Sequence, residues 1–450
     1  MNESPAGPGA ISEAGRPVIV VGLGFGDEAK GATVDFLCSQ GDVASVVRFN
    51  GGAQAAHNVV VDGRHHTFRQ FGSGTLSGVP TFLSRHCLIE PIGLAGEAEQ
   101  LAALGVPDPL RLITVDPDAL ITTPVHVAAN RTREDRRGAG RHGSTGLGIG
   151  ETVWYDLALR RSARAGQLVE NLVAPADARG RALRVRDCLD PRTLRARLDE
   201  LVRFYAPLLA GSRHGHDDVA TMVDLLTAFA GAVRVARPDE LARAASRGRL
   251  VFEGAQGVLL DEWRGFHPHT TWSTTTPANA QALLRAAGLP AGYVLGLTRA
   301  YTTRHGAGPL PTEDPALLAV AEPHNGTGVY QGGWRAGHLD LVALRYAVEA
   351  IGGVDGLAVS HLDVLDDPAT PAVRAVGAYE TSRGPTDRLP VGRFGDLTHQ
   401  AALTGSLAGA TGRGRVLHDS RDAVLTLERA LGAPAQVLGF GPARADRKFA

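Results

Sequence analysis

The stretch PVIVVGLGFGDEAKGATVDFL, Pro17–Leu37, decides the fold. Pro17–Leu23 is a continuous apolar run rich in β-branched side chains, the pattern of a strand buried on both faces of a parallel sheet. Gly22, Gly24 and Gly26 then turn the chain, and Lys30–Gln40 reads as a helix. A strand, a glycine turn and a helix N-terminus together make an anion cradle, because backbone N–H groups converge there and the helix dipole favours negative charge. The two best-known versions are absent. Gly26–Lys30 is GDEAK, not the end of GxxxxGK[ST], and the glycine spacing is GxGxG rather than GxGxxG. Lys30 is one of two lysines in the chain, the other being Lys448; the remaining 44 of 46 basic residues are arginine. A lysine kept in such a chain reads as a compact point charge for a phosphate, where a planar guanidinium would not fit a tight loop. The competing reading is a surface lysine on an ordinary turn. Asp27 suits a hard cation or a proton-accepting role, and it equally suits a helix N-cap.

Further strands are expected at Ala44–Phe49, Leu250–Phe252, Gly292–Thr298, Gly356–Val359 and Gln436–Leu438. Helices are expected at Leu94–Leu104, Thr193–Tyr205, Val219–Val235, Leu339–Ile351 and Asp422–Leu431. Asn58–Val61 and His66–Phe68 around Asp62-Gly63 read as a hairpin. Strands alternate with helices and run into polar, glycine-rich loops. This implies an α/β fold: one large domain over residues 17–450, a mostly parallel central sheet, peripheral helices, and sites at the sheet's carboxyl edge. The architecture is P-loop-NTPase-like without a Walker A motif. Residues 1–16 read as a flexible lead-in. Asn130–Gly143, polar and basic, is expected to stay mobile until something binds. Residues 365–415 are rich in Pro, Gly and Thr and give no clear periodicity.

With 450 residues, 44% hydrophobic, the chain can bury a large core. A net charge of −1 points away from nucleic acid and membrane surfaces. The apolar runs are too short to span a bilayer, and the first residues lack the pattern of a signal peptide. Cys38, Cys87 and Cys188 are far apart and odd in number, which suits reduced thiols and a cytoplasmic setting.

Seven blocks occur in order: VGLGFGDEAKG, VVRFNGGAQAAHN (Val46–Asn58), GSTGLGIG (Gly143–Gly150), FEGAQGVLLD (Phe252–Asp261), AYTTRHGAGPLPTE (Ala300–Glu313), HLDVLDD (His361–Asp367) and GFGPAR (Gly439–Arg444). Together they resemble the adenylosuccinate synthetase family from about residue 17 to 445. The resemblance implies a homodimeric ligase that uses GTP and Mg²⁺ to phosphorylate the 6-oxygen of a purine nucleotide, after which an amine displaces phosphate. It implies Asp27 as catalytic base and metal ligand, with the Ala56 carbonyl as a second ligand. Lys30 falls on the phosphate-contacting lysine, flanked by Gly26 and Gly31, and His57 on the group that stabilises the transferring phosphoryl. Gln54, Thr145, Thr271, Gln256 and, from the partner subunit, Arg160 fall on the oxo-substrate site, with Gln256 also near the reacting edge. His361, Asp363, Gly441 and Pro442 fall on the guanine pocket. A carboxylate facing paired N–H donors is what selects guanine.

The departures cluster. The family's GGHNAGH is GGAQAAH here (Gly51–His57), which puts Gln54 in place of an asparagine and Ala56 in place of a glycine. A lysine of the guanine side is His361, which leaves GTP against ATP open. The arginine-rich loop that clamps aspartate is GTGVYQGGWRAGHLD (Gly326–Asp340), with Arg335 alone of four arginines. Planar arginine forks are what recognise carboxylates. Thr327, Tyr330, Gln331, Trp334 and Arg335 therefore imply an amine other than free aspartate, in specialised metabolism. The alternatives are an ordinary aspartate-using enzyme in which Arg304 or Arg335 compensates, and a nucleotide-binding regulatory protein without turnover.

Overall fold

The computed structural model describes residues 11, 15–140, 143–160, 181–320, 330 and 332–450. Ten strands form the central sheet. In chain order they are β1 (Val18–Gly22), β2 (Val43–Arg48), β3 (Thr81–Leu83), β4 (Ile113–Val115), β5 (Arg234–Val235), β6 (Arg249–Gly257), β7 (Tyr293–Arg299), β8 (Gly356–Ser360), β9 (Ala435–Gly439) and β10 (Arg447–Phe449). Their spatial order is β10-β9-β8-β7-β1-β6-β2-β3-β4-β5. All neighbours run parallel except β9 and β10. The opening stretch is thus the middle of the sheet, with β6 and β7 on its two sides.

Alternate side chains of β1 enter different cores. Val18 and Val20 pack with Val34, Phe36 and Leu37 of the helix α1 (Lys30–Cys38). Ile19 and Val21 face a larger cluster built with Phe252, Leu284, Val342 and Leu357. Burial on both faces explains the unbroken apolar run, each such side chain contributing about 1.5–3 kcal/mol relative to exposure. Arg444 pins α1 from the far end of the sequence, its guanidinium donating to both oxygens of buried Asp35.

The hairpin pairs His57–Val61 with Arg64–Phe68. Asp62 and Gly63 both have positive φ, 50° and 75°, which matches the twist of paired strands. Several expectations need correction. The segment from Asn130 is not a free loop, because a helix spans Pro124–Arg137. Asn130 bonds Ser144, and Arg137 bonds buried Glu134, so the polar residues are tied inward. The helix from Val219 stops at Ala232, and Arg234–Val235 becomes the edge strand β5. Leu339–Asp340 belongs to a small sheet, and the helix begins at Leu341, capped by Asp340. That sheet pairs Leu339–Asp340, Arg374–Thr381, Gly384–Thr386 and Thr411–Val416, and with the helix Leu397–Ser406 it places much of the region that gave no periodicity. In the lead-in, Ile11 is buried against β1 and its carbonyl accepts from Arg249. No helix among the described residues is long and apolar enough to cross a membrane.

Candidate active site

The site forms where β1, β6, β2, β7 and β8 end. Three non-glycine residues there have left-handed backbone: Ala29 after β1 (φ 61°), Gln256 in the end of β6 (φ 57°) and His361 after β8 (φ 58°). Such conformations persist where surrounding structure over-determines them, and they concentrate at functional sites. Ala29 precedes α1 without capping it through a side chain. Asp27 is therefore not the N-cap, and its carboxylate is left for other work.

The glycine turn wraps around an internal ion pair. Glu28 accepts from the Gly26 N–H at 2.8 Å and from Lys30 Nζ at 2.9 Å, and Lys30 also donates to the Gly26 carbonyl at 2.6 Å. Lys30 is 2% exposed, which removes the surface-lysine reading. A Cβ on Gly22 would lie 2.2 Å from Glu28 Oε2, so only glycine leaves room for that carboxylate. Gly31 serves packing: a Cβ there would meet His57 Cβ at 2.6 Å.

Asp27 keeps about a third of its side chain accessible (32%), with Oδ2 3.3 Å from His305 Nε2. Burial alone would raise its carboxyl, but the hydrogen bond and charge of His305, then Arg299 and Lys30, outweigh that and hold it below the ordinary value. An ionised, reachable carboxylate suits a hard cation or a proton acceptor. Among the described residues no three His, Cys, Asp or Glu side chains gather as a metal cage. That donor set fits Mg²⁺, which is commonly held by one or two carboxylates together with waters and substrate phosphates. Ala56, the other implied ligand, is exposed beside His57, so its carbonyl belongs to an accessible stretch of chain.

His57 lies 2.6 Å through Nδ1 from Glu253 Oε1, and Glu253 is fully buried. Glu253 also accepts from the Ser73 N–H at 2.9 Å and from its hydroxyl. Burial would push Glu253 up, but Arg48, His57 and Ser73 bring it to about 2. Burial brings His57 down to about 4 despite Glu253. His57 is thus a neutral imidazole whose Nδ1–H is donated to a carboxylate, which fixes the ring and leaves Nε2 for a ligand.

Gln256 reaches the site through a bulge: β1 pairs Val20 with Glu253 but Gly22 with Gly257. Gln54, on the loop after β2, faces the same space. A Cβ on Gly51 would lie 3.6 Å from Gln54 Nε2 and 3.7 Å from Gln256 Oε1. Gly52 approaches Ile149, and Gly150 approaches Trp272, so the loops bearing Gln54, Thr145 and Thr271 meet there. Thr145 is exposed and Thr271 half-buried. Arg160, at the end of the helix Ile149–Leu159, is 54% exposed and pairs with Asp156 at 2.9 Å.

On the other side of β1, His361 bonds Ser360 and meets Tyr301 edge-on. Burial and the charges of Arg299 and Arg447 keep it neutral. Asp363 opens the short helix Asp363–Asp366, and the Leu362 N–H donates to the Gly439 carbonyl, which brings Asp363 beside the Gly441-Pro442 turn. Asp446 holds that turn through the Ala443 N–H.

The segment that the resemblance assigns to the amine departs most from expectation. Arg335 clamps Glu313 through Nε at 2.8 Å and donates to the Gly306 and Gly308 carbonyls. Arg304 is buried, bonds the carbonyls of Ala307, Pro309 and His269, and stacks on Phe25 at 4.3 Å. Both arginines that could compensate for the missing ones are spent on the fold. Trp334 pairs across the strands with His305. Tyr330 lies against Gly146 and Arg213. Thr327 and Gln331 lie outside the described residues.

Glu28, Glu253, Arg299 and His305 were not singled out from the sequence. Glu253 left one signal: an acid inside the apolar run LVFEGAQG, where a buried charge needs a partner.

Comparison with known proteins gives the family and the fold. The family model for adenylosuccinate synthetase matches residues 19–447. The chain is similar to adenylosuccinate synthetase of Neisseria gonorrhoeae, 31% identical over 446 residues, 96% of this chain and 98% of that one. It is 32% identical over 455 residues to that of Marinomonas sp., covering 96% and 97%. Among solved structures, fully ligated adenylosuccinate synthetase of Plasmodium falciparum superposes with a TM-score of 0.75 at 19% identity, covering 97% and 100%. Cyanophage S-2L succinoaminodeoxyadenylate synthetase, bound to dGMP and dATP as an energy donor, gives 0.58 at 17%, covering 96% and 95%. The chain therefore belongs to the adenylosuccinate synthetase family, ligases that form a carbon–nitrogen bond in purine biosynthesis.

Proposed function

We propose that this chain is a divergent, homodimeric and cytoplasmic member that uses GTP to phosphorylate the oxo group of a purine nucleotide or analogue, and then joins the carbon to an amine other than free aspartate. One observation carries the reading: Asp27, Lys30 and His57 are each held by a partner side chain (His305, Glu28 and Glu253) around the end of β1, while Arg304 and Arg335 are committed to internal partners.

In this reading Asp27 takes the lactam N–H proton, which raises the nucleophilicity of the neighbouring oxygen. His57 Nε2 faces the transferring phosphoryl group, and an arriving polyanion favours its protonated, donating form. Asp27 and the Ala56 carbonyl would hold Mg²⁺, which supplies charge neutralisation between phosphates when bound. Asp363 and the Gly441-Pro442 turn would read the nucleotide base. His361 leaves the choice of GTP less secured than in the family pattern, and the cyanophage relative takes dATP as its energy donor. Arg160 is exposed at a helix end and so suits donation to a partner's oxo-substrate site.

An ordinary aspartate-using synthetase is favoured by one fact, 31% identity over nearly the whole chain. Phosphate release separates the readings. Purified protein is given GTP, Mg²⁺ and IMP, with aspartate or a panel of other amines, and products are weighed by mass spectrometry. Release with another amine but not with aspartate supports the divergent ligase. Aspartate-dependent release with an adenylosuccinate mass overturns it. Silence throughout favours a regulatory nucleotide binder.

A further inference from the structure

The turn after His305 is held with unusual thoroughness. Its four consecutive carbonyls, Gly306 to Pro309, are all taken by two guanidiniums. Arg335 donates to Gly306 at 3.2 Å and to Gly308 at 2.9 Å, and Arg304 donates to Ala307 and to Pro309 at 3.0 Å each. Arg304 is 1% exposed, and a Cβ on Gly308 would lie 2.1 Å from its Nη2, so the turn and the guanidinium fit without slack. Ala307 is exposed and its neighbours are half-buried, so water could satisfy such carbonyls. Two cations spent there do more than fill hydrogen bonds: they fix where the turn lies.

What that fixes is His305, the last residue of the strand Thr302–His305, whose Nε2 lies 3.3 Å from Asp27 Oδ2. The same strand is fastened to the Asp27 backbone a second time, because Arg299 donates to the Asp27 carbonyl at 3.2 Å and to Thr303 Oγ1 at 3.4 Å. Asp27 itself sits in the glycine turn, outside any strand or helix, where a carboxylate is free to rotate unless a neighbour holds it. We infer that His305 is a positioning residue for Asp27: its Nε2–H holds Oδ2 and leaves Oδ1 aimed at the lactam N–H. Arg304 and Arg335 act on the chemistry through this histidine, as supports of its turn, rather than through the amine. Groups that orient a reacting side chain need such rigid backing of their own. The inference rests on the reading of Asp27 as the group that takes the lactam proton.

The test is steady-state phosphate release by the full chain with GTP, Mg²⁺, IMP and the amine that the panel above finds active. His305→Leu should lower kcat by about ten- to a hundredfold, the range for a residue that orients a functional group, with KM for GTP and IMP within about twofold. His305→Gln, whose amide nitrogen donates from nearly the same place, should recover most of the loss. In an Asp27→Asn background His305→Leu should cost less than about twofold, because no base is left to orient. An unchanged kcat in His305→Leu, a full loss in the Asp27→Asn background, or no recovery in His305→Gln overturns the inference. If Asp27→Asn is slow and His305→Leu is not, the ligase reading stands without it. If Asp27→Asn keeps full turnover, or the unmodified chain is silent with every amine, both fall.

Discussion

The two loops that approach Asp27 differ in how their charges are used. On the phosphoryl side, Lys30 meets Glu28 and His57 meets Glu253 in buried pairs, while Asp27 meets His305 and stays a third exposed. On the amine side, Arg335 meets Glu313, and Arg304 meets three backbone carbonyls, so the charges stabilise the loops themselves. The same residue type can recognise a carboxylate only if the fold does not already supply one. The contrast teaches that counting arginines in a motif is not enough; what matters is which remain uncommitted after folding.

The comparison breaks most directly at Asp27. Asp27→Asn keeps the shape and removes the base, so turnover should fall by about a thousandfold or more while GTP binding stays measurable, weakened only as far as the metal contact contributes. Retained turnover would remove Asp27 from the chemistry. Glu253→Gln tests the brace behind His57. It should lower kcat by about a hundredfold with KM for GTP nearly unchanged, because it misorients the ring rather than removing a contact; a rise in KM alone would count against that role. Asp363→Asn should reduce the preference for GTP over ATP by about tenfold, as competition binding would read. An unchanged preference places base recognition elsewhere.

Gly333→Arg sharpens the amine side. A Cβ at Gly333 meets nothing within 4 Å, so the substitution adds an uncommitted cation to that loop. Aspartate-dependent phosphate release should appear or increase several-fold, and no response would detach the loop from amine choice. The smallest effect concerns pH. His57 has its pKa depressed from 6.5 to about 4 in the folded chain, so the unfolded chain binds more protons in that window. Stability should therefore fall as pH drops from 6.5 towards 4. His57→Asn should flatten that slope in urea unfolding at pH 7 and 5, and an equal slope in the variant would show that other groups set it.

Much of the fold could be read from one strand, because Val18–Val21 is buried on both faces and leaves a run that no amphipathic element produces. Lys30 stood out because a lysine kept among arginines is conspicuous in a glycine-rich turn, whereas Asp27 and His57 drew notice through the resemblance. Glu253 was harder, since its partner His57 is 196 residues away and only β6 beside β2 brings them together. The region from Arg374 to Val416 was illegible for another reason. Its strands form a small sheet with Leu339–Asp340, and the strand Thr411–Val416 is almost wholly exposed, so no strict alternation marks it. The commitment of Arg335 to Glu313 could not be read at all, because sequence shows the presence of a charge and not its partner.

The Glu28 carboxylate has a consequence for how a nucleotide arrives. The glycine turn already holds an anion of its own chain, bound by the Gly26 N–H and Lys30. Phosphate that takes these donors displaces a resident rather than filling a vacancy, so the turn is kept assembled between turnovers and entry becomes a ligand exchange. Because Glu28 already answers the charge of Lys30, the turn is less of an electrostatic trap for stray anions than its glycines and lysine would suggest.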